Sequence, residues 1–329
     1  MKHSVVGFVA GLAIMATPAL AADKVSFGTN WLAEAEHGGY YQAVADGTYA
    51  KYGLDVTIVQ GGPQADGELL LASGKIDFYM GSSLLNTFFA IDQGVPLVAV
   101  AAHFQKDPQM LMSHPGVGLD KLPDLAHSPA FIGKGAPFYD WLVSAYGFSW
   151  DNVKPYTFNP APFIADKKSV QQGYVTSEPY AVEREGHFKP NIFLFADYGY
   201  STYATTVQTR ADVVAKKADM VQRFVDASTI GWYNYMYGDN KKANELIKKD
   251  NPDMTDDQIA FSIAKMKEYG LVDSGDTLKL GVGAMTDARV TDFFDKMVKA
   301  GVIKKDLDYK KAYTLQFVNK GVGLDLRPK

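Results

Sequence analysis

Two α/β lobes are the architecture this sequence predicts. Three observations predict it: 329 residues suit two domains better than one, strand-like and helix-like segments alternate, and glycine or proline turns follow the strands. Hydrophobic residues make up 47% and charged residues 21%, an ordinary globular composition. The formal net charge is −4 with both signs interspersed, so there is no basic footprint for nucleic acid or an acidic membrane, and the lysine pairs near the C-terminus read as solvated helix faces.

Lys2 and His3, the apolar run Val5 to Met15, Pro18 and the small-residue site Ala19-Leu20-Ala21 read as a secretory signal over residues 1–21, with a mature chain starting at Ala22 or Asp23. No later segment offers the roughly 20 consecutive apolar residues of a transmembrane helix. The sequence has no cysteine, which excludes disulfides, thiolate metal sites, a cysteine nucleophile and a lipidated N-terminal cysteine. The expectation is an exported periplasmic protein without a lipid anchor.

Val25 to Gly28 is β-prone, and a helix is predicted from Gly39 to Tyr52, stopping at Gly53. Val56 to Val59 follows as a strand and ends at Gly61-Gly62-Pro63. The pattern repeats with helix Leu69 to Ala72, strand Asp77 to Met80, a helix from Ser82 or Ser83 to Gln93, and strand Pro96 to Ala101. Such alternation predicts a mostly parallel sheet. Beyond His103 to Pro115 a second unit is predicted: strand Ala130 to Gly133, helix Tyr139 to Ala145, strand Val153 to Phe158, a short helix near Ser169, and strands Tyr174 to Ser177 and Ile192 to Ala196. From Ala211 onward apolar residues such as Met220, Val221, Phe224, Val225 and Trp232 recur at helical spacing. Thr255-Asp256-Asp257-Gln258 is a capping-box sequence, and another helix near Thr286 would bury Val290, Phe293, Phe294, Met297 and Val298.

Asn30-Trp31, His37, Gly53-Leu54-Asp55-Val56, Gly74-Lys75-Ile76-Asp77-Phe78, Gly81-Ser82-Ser83, Gly94-Val95-Pro96-Leu97, Gln171-Gln172-Gly173-Tyr174 and Thr176-Ser177-Glu178-Pro179-Tyr180 occur in an order that resembles the substrate-binding proteins of ABC importers for nitrate, sulfonates, taurine and thiamine-pyrimidine precursors. It is most similar to the thiamine-pyrimidine branch. The resemblance implies a periplasmic-binding-protein-like fold, with a discontinuous first lobe at 22–107 and 205–329, a second lobe at 108–204, and two crossings near 103–113 and 198–210. It also implies a small-molecule ligand bound by cleft closure, an inner-membrane ABC permease as partner, a monomer, and no cofactor or metal.

Ligand-contacting residues are expected at the C-terminal ends of strands, where clefts form in open α/β sheets. Trp31, just past the first strand, suits stacking on a flat ligand. Ser82 and Ser83 begin a helix and offer hydroxyls and free N–H groups, although a serine there also serves as a helix cap. His37 is a candidate donor or a packing residue. In the second lobe, Lys134, Phe138 and Tyr139 belong to a strand-to-helix turn, and Asn159, Tyr180, Tyr198 and Tyr200 come from neighbouring strand ends and the return crossing. Glu178 is the favoured residue: a carboxylate has two acceptor oxygens for the ring nitrogen and amino group of an aminopyrimidine. Its bland alternative is an ion pair with Arg184 or a lysine.

These motifs lack the arginine fork that suits a sulfonate or nitrate, so a flat neutral or cationic heterocycle is expected, such as a thiamine-pyrimidine precursor, a flavin or another nitrogen heterocycle, with an anion receptor as the alternative. An enzyme is the other class, because fungal pyrimidine-forming enzymes share this fold and the Trp31/His37 pattern. Those enzymes carry a cysteine-rich motif absent here, and no HExxH, Gly-x-Ser-x-Gly or phosphate-binding loop occurs. His103 and His114 are expected at a hinge or on the surface. A sensory receptor of the same architecture is a third reading.

Overall fold

A computed structural model describes residues 21–62, 65–133 and 136–328, so all of the expected secretory signal except Ala21 lies outside the described residues. Ten strands form two sheets. The first contains β1 (Asp23–Gly28), β2 (Leu54–Val59), β3 (Phe78–Ser83), β4 (Leu97–Phe104) and, from late in the chain, β10 (Ala204–Arg210), in the order β2-β1-β3-β10-β4. The second contains β5 (Gln109–Ser113), β6 (Ala130–Ile132), β7 (Val153–Pro155), β8 (Val170–Tyr174) and β9 (Asn191–Leu194), in the order β7-β6-β8-β5-β9.

The expected parallel sheets are mixed. β1 runs parallel to β2 and β3, but β10 is antiparallel to both of its neighbours; likewise β6 is parallel to β7 and β8 while β5 is antiparallel to β8 and β9. The chain leaves the first sheet after Phe104, enters the second at Gln109, and returns between Leu194 and Ala204. Because the parallel strands of each sheet carry their connecting loops at the same edge, the C-terminal ends at Gly28, Ser83, Ile132, Pro155 and Tyr174 are where a cleft is built.

Local signals explain three of the helices. Ser83 accepts from Leu85 N–H and Asn86 bonds back to Ser83 N–H, a capping box that starts helix Leu84–Asp92. Thr255 accepts from Gln258 N–H at 3.2 Å and starts helix Asp256–Glu268. Helix Asp287–Lys299 buries Val290, Phe293, Phe294 and Met297, with Val298 half-buried.

Four expectations change. The helix expected from Gly39 to Tyr52 is two, Gly38–Ala45 and Thr48–Lys51, because Gly47 between them sits at φ 73°, where the helix cannot continue. β7 stops at Pro155, and Phe158 instead lies at φ 62° in the left-handed region. The short helix is Ala161–Ala165, and Ser169 leads into β8, which ends where a strand was expected to begin; Glu178 therefore opens helix Glu178–Gly186. His103 and His114 are buried, not surface residues: Tyr40 Oη lies 2.9 Å from His103 Nδ1, and His114 Nε2 lies 2.8 Å from the Phe163 carbonyl.

Aromatic rings tie the C-terminal helices to the first lobe. Phe78 and Phe224 stack with centroids 4.2 Å apart, and Phe27 meets the same Phe224 ring at 5.4 Å. Gly38 and Gly39 let helix Gly38–Ala45 press against Tyr235 and Trp232 of helix Ala218–Tyr237; a Cβ on either glycine would overlap those rings. Ser262 then joins this half to the second lobe by donating to the Thr176 carbonyl at 2.7 Å.

Candidate functional site

The cleft comprises three adjoining chambers of about 650, 320 and 630 Å³, and Trp31 and Phe158 border all three. Trp31 follows β1 in the first lobe and Phe158 follows β7 in the second, and their ring centroids are 4.8 Å apart. The middle chamber is further lined by Glu34, Ser82, Tyr174 and Glu178.

Glu178 is held at the end of β8 by its own lobe. Tyr174 N–H donates to Oε2 at 2.7 Å and the Tyr156 hydroxyl donates to Oε1 at 3.3 Å. Gly173 makes this fit: a Cβ there would lie 2.7 Å from the Glu178 Cβ. A carboxylate offers about four acceptor positions, so these two donors leave capacity for a ligand. Glu178 forms no ion pair among the described residues; Arg184 instead donates to the Tyr180 hydroxyl at 2.9 Å, on the wall of one outer chamber.

Two further carboxylates lie beside it. Glu34 is 9% exposed and Glu36 3% exposed, and Glu36 Oε1 has no hydrogen-bond partner among the described residues. Burial, then Glu36 and Glu178, push the Glu34 carboxyl well above the usual carboxylate range, and burial also raises Glu36. Burial pushes Glu178 up to about 7, with Glu36 adding to the effect. His37 Nε2 is 3.7 Å from Glu34, but burial lowers the imidazole to about 3, so at neutral pH it supplies no compensating charge. The middle of the cleft is thus acidic, proton-retaining and walled by rings.

This has a measurable consequence. An unfolded glutamate releases its proton near pH ~4.3, whereas folded Glu178 holds it to about 7. The native state binds more protons in that window, so the residue's contribution to stability falls as pH rises through it. Relative to wild type, Glu178→Gln should therefore gain roughly 1–3 kcal/mol between pH ~5 and pH ~8 in denaturant titrations, at about 1.4 kcal/mol per pKa unit. A pH-independent difference would contradict a half-buried Glu178 that holds its proton.

Of the residues singled out in the sequence, the cleft gathers Trp31, Ser82, Ser83, Phe138, Glu178, Tyr180 and Tyr200. Ser83 caps its helix at the same time. His37 lies beneath the chambers: its Nε2 is 3.2 Å from Asn30 Oδ1, and Asn30 Nδ2 donates to the Ser82 hydroxyl at 3.0 Å, so it positions a cleft-lining pair instead of lining the cleft. Three others point elsewhere. Tyr139 is buried with its hydroxyl on the Ser149 carbonyl, Asn159 accepts from Ala161 N–H at a helix start, and Tyr198 lies on the surface. Lys134 lies outside the described residues. Glu34, Tyr156, Phe158 and Tyr174 were not anticipated; the sole hint was Glu34-x-Glu36 set between Trp31 and His37.

Two mixed sheets whose strand ends meet across a cleft define a periplasmic-binding-protein fold. The chain belongs to the NMT1/THI5-like family, whose model matches residues 34–243. It is 24% identical over 310 residues to the riboflavin-binding protein RibY of Chloroflexus aurantiacus, covering 91% of this chain and 87% of that protein. It is 26% identical over 132 residues to the 4-amino-5-hydroxymethyl-2-methylpyrimidine phosphate synthase of Schizosaccharomyces pombe, covering 40% of this chain and 38% of that protein. In structure it is similar to the periplasmic aliphatic sulphonate binding protein SsuA of Escherichia coli, with a TM-score of 0.66, 12% identity, and 88% and 91% of the two chains covered.

Proposed function

We propose that this chain is the periplasmic solute receptor of an ABC importer, working as a monomer that delivers its ligand to a membrane permease. Its ligand, in this reading, is a flat nitrogen heterocycle with a hydrogen-bond-donating edge, in the class of thiamine-pyrimidine precursors and flavins. The carrying observation is Glu178, a carboxyl anchored by Tyr174 and Tyr156 opposite Trp31 and grouped with Glu34 and Glu36. Such a floor offers acceptor oxygens to the donors of a ligand edge. The names of the riboflavin-binding and pyrimidine-forming relatives support a heterocycle. We read the chain as a binding protein, not an enzyme: among the described residues no histidine lines these chambers, and the sequence has no cysteine.

A sulfonate or related anion is the second reading. The sulfonate-binding proteins among the similar structures support it better than any of them supports a pyrimidine. Among the described residues that line the cleft, Arg184 in the outer chamber is a group suited to an anion. A thermal-shift screen of aminopyrimidines, thiamine, riboflavin, taurine, alkylsulfonates and nitrate separates the two, since a ligand of the folded state raises its apparent stability. Stabilisation by a heterocycle is expected; stabilisation confined to sulfonates, taurine or nitrate would transfer the assignment to the anion.

A further inference from the structure

We propose that Phe158 is the second wall of an aromatic slot, and that the ligand's ring enters between Phe158 and Trp31. The inference rests on the heterocycle reading and adds a residue and a binding geometry to it.

Folding alone gives Phe158 little reason to be phenylalanine. Its side chain is 55% exposed, so it contributes little core burial, and its backbone sits at φ 62°, a region that disfavours side chains and suits glycine. What this conformation accomplishes is placement. It turns the ring away from its own lobe and across the cleft onto Trp31, with centroids 4.8 Å apart and planes inclined by 46°. Tyr156 supports the ring from behind at 5.2 Å, and its hydroxyl also donates to Glu178, so the ring and the carboxylate share one support. All three chambers meet at the Trp31–Phe158 pair, which stands at the middle of the cleft.

At this separation the rings touch and leave no room for a third. A flat ligand stacked on both faces needs them about 7 Å apart, two contact distances of about 3.5 Å. Entry therefore requires the lobes to part or Phe158 to swing, and the ligand replaces one ring–ring contact with two. Because Trp31 and Phe158 belong to different lobes, the sandwich stabilises only a closed cleft, as ligand-driven closure requires.

The test uses Phe158→Gly and Phe158→Tyr in the mature protein, with riboflavin and 4-aminopyrimidine as probes. Phe158→Gly should lose roughly 10- to 100-fold in affinity for a bound probe, the scale of one lost stacking face. Its resistance to urea should equal or exceed that of wild type, because glycine relieves the backbone. Phe158→Tyr should keep affinity within about threefold, since it retains the ring. Unchanged affinity in Phe158→Gly overturns the slot while leaving the heterocycle reading intact. A loss accompanied by comparable destabilisation also overturns it, making Phe158 a packing residue. Failure of both probes to bind wild type overturns the heterocycle reading and the slot with it.

Discussion

Glu178→Ala should reduce heterocycle affinity by about 2–4 kcal/mol, roughly 30- to 1000-fold, and leave a folded protein. The size follows from removing an acceptor held in place by two donors. Tyr174 N–H and the Tyr156 hydroxyl fix the carboxyl before a ligand arrives, so little ordering is left to offset the contact. The fold tolerates the change because a half-buried carboxyl with a raised pKa is not a net stabiliser above neutral pH, and Pro179 still favours the start of its helix. Glu178→Gln keeps one acceptor and should fall between alanine and wild type. The check is calorimetric titration with a stabilising heterocycle; equal affinities for all three proteins would remove Glu178 from the site.

The largest effect on stability is expected at Gly39. A Cβ at this position would occupy space held by the Trp232 indole, and a Cβ on Gly231 of the facing helix would overlap the Gly39 carbonyl oxygen. Trp232 cannot retreat, being fully buried against Phe104 and His103. Gly39→Val should therefore destabilise the protein by about 3 kcal/mol, at the upper end for overpacking, because two helix backbones must separate. Urea titration followed by circular dichroism measures it. A loss below about 1 kcal/mol would mean that the helices do not pack this closely.

The sequence was most legible where local chemistry and burial agree. The alternation around β1, β2, β3 and β4, the Ser83 and Thr255 caps, and the apolar stripe of helix Asp287–Lys299 are local signals, and the structure retains them. β10 escaped because its sequence, Ala-Thr-Thr-Val-Gln-Thr-Arg, carries polar side chains that are nonetheless buried: Thr206, Gln208 and Thr209 are fully inaccessible, and Gln208 donates to Thr206. β5 was hidden within the segment read as a crossing, since an antiparallel strand entering the second sheet has no helix to announce it.

The same division holds at the site. Trp31 and Glu178 were legible because each closely follows a strand, even though the strand before Glu178 was misplaced by several residues. His37 pointed to the right neighbourhood but lies one layer below the cleft, acting through Asn30. Glu34 and Phe158 were not legible. A carboxylate becomes unusual when the fold buries it, and a phenylalanine in a left-handed turn looks in sequence like the end of a strand. Both depend on tertiary placement, which no spacing encodes.

That an acidic, ring-walled cleft takes a flat heterocycle by its donating edge is tested most directly by a crystal structure of the mature protein grown with saturating 4-aminopyrimidine. The expected result is the ring against Trp31 with its amino edge within hydrogen-bonding distance of Glu178. A cleft that excludes the pyrimidine yet holds an alkylsulfonate beside Arg184 under the same conditions would contradict the account.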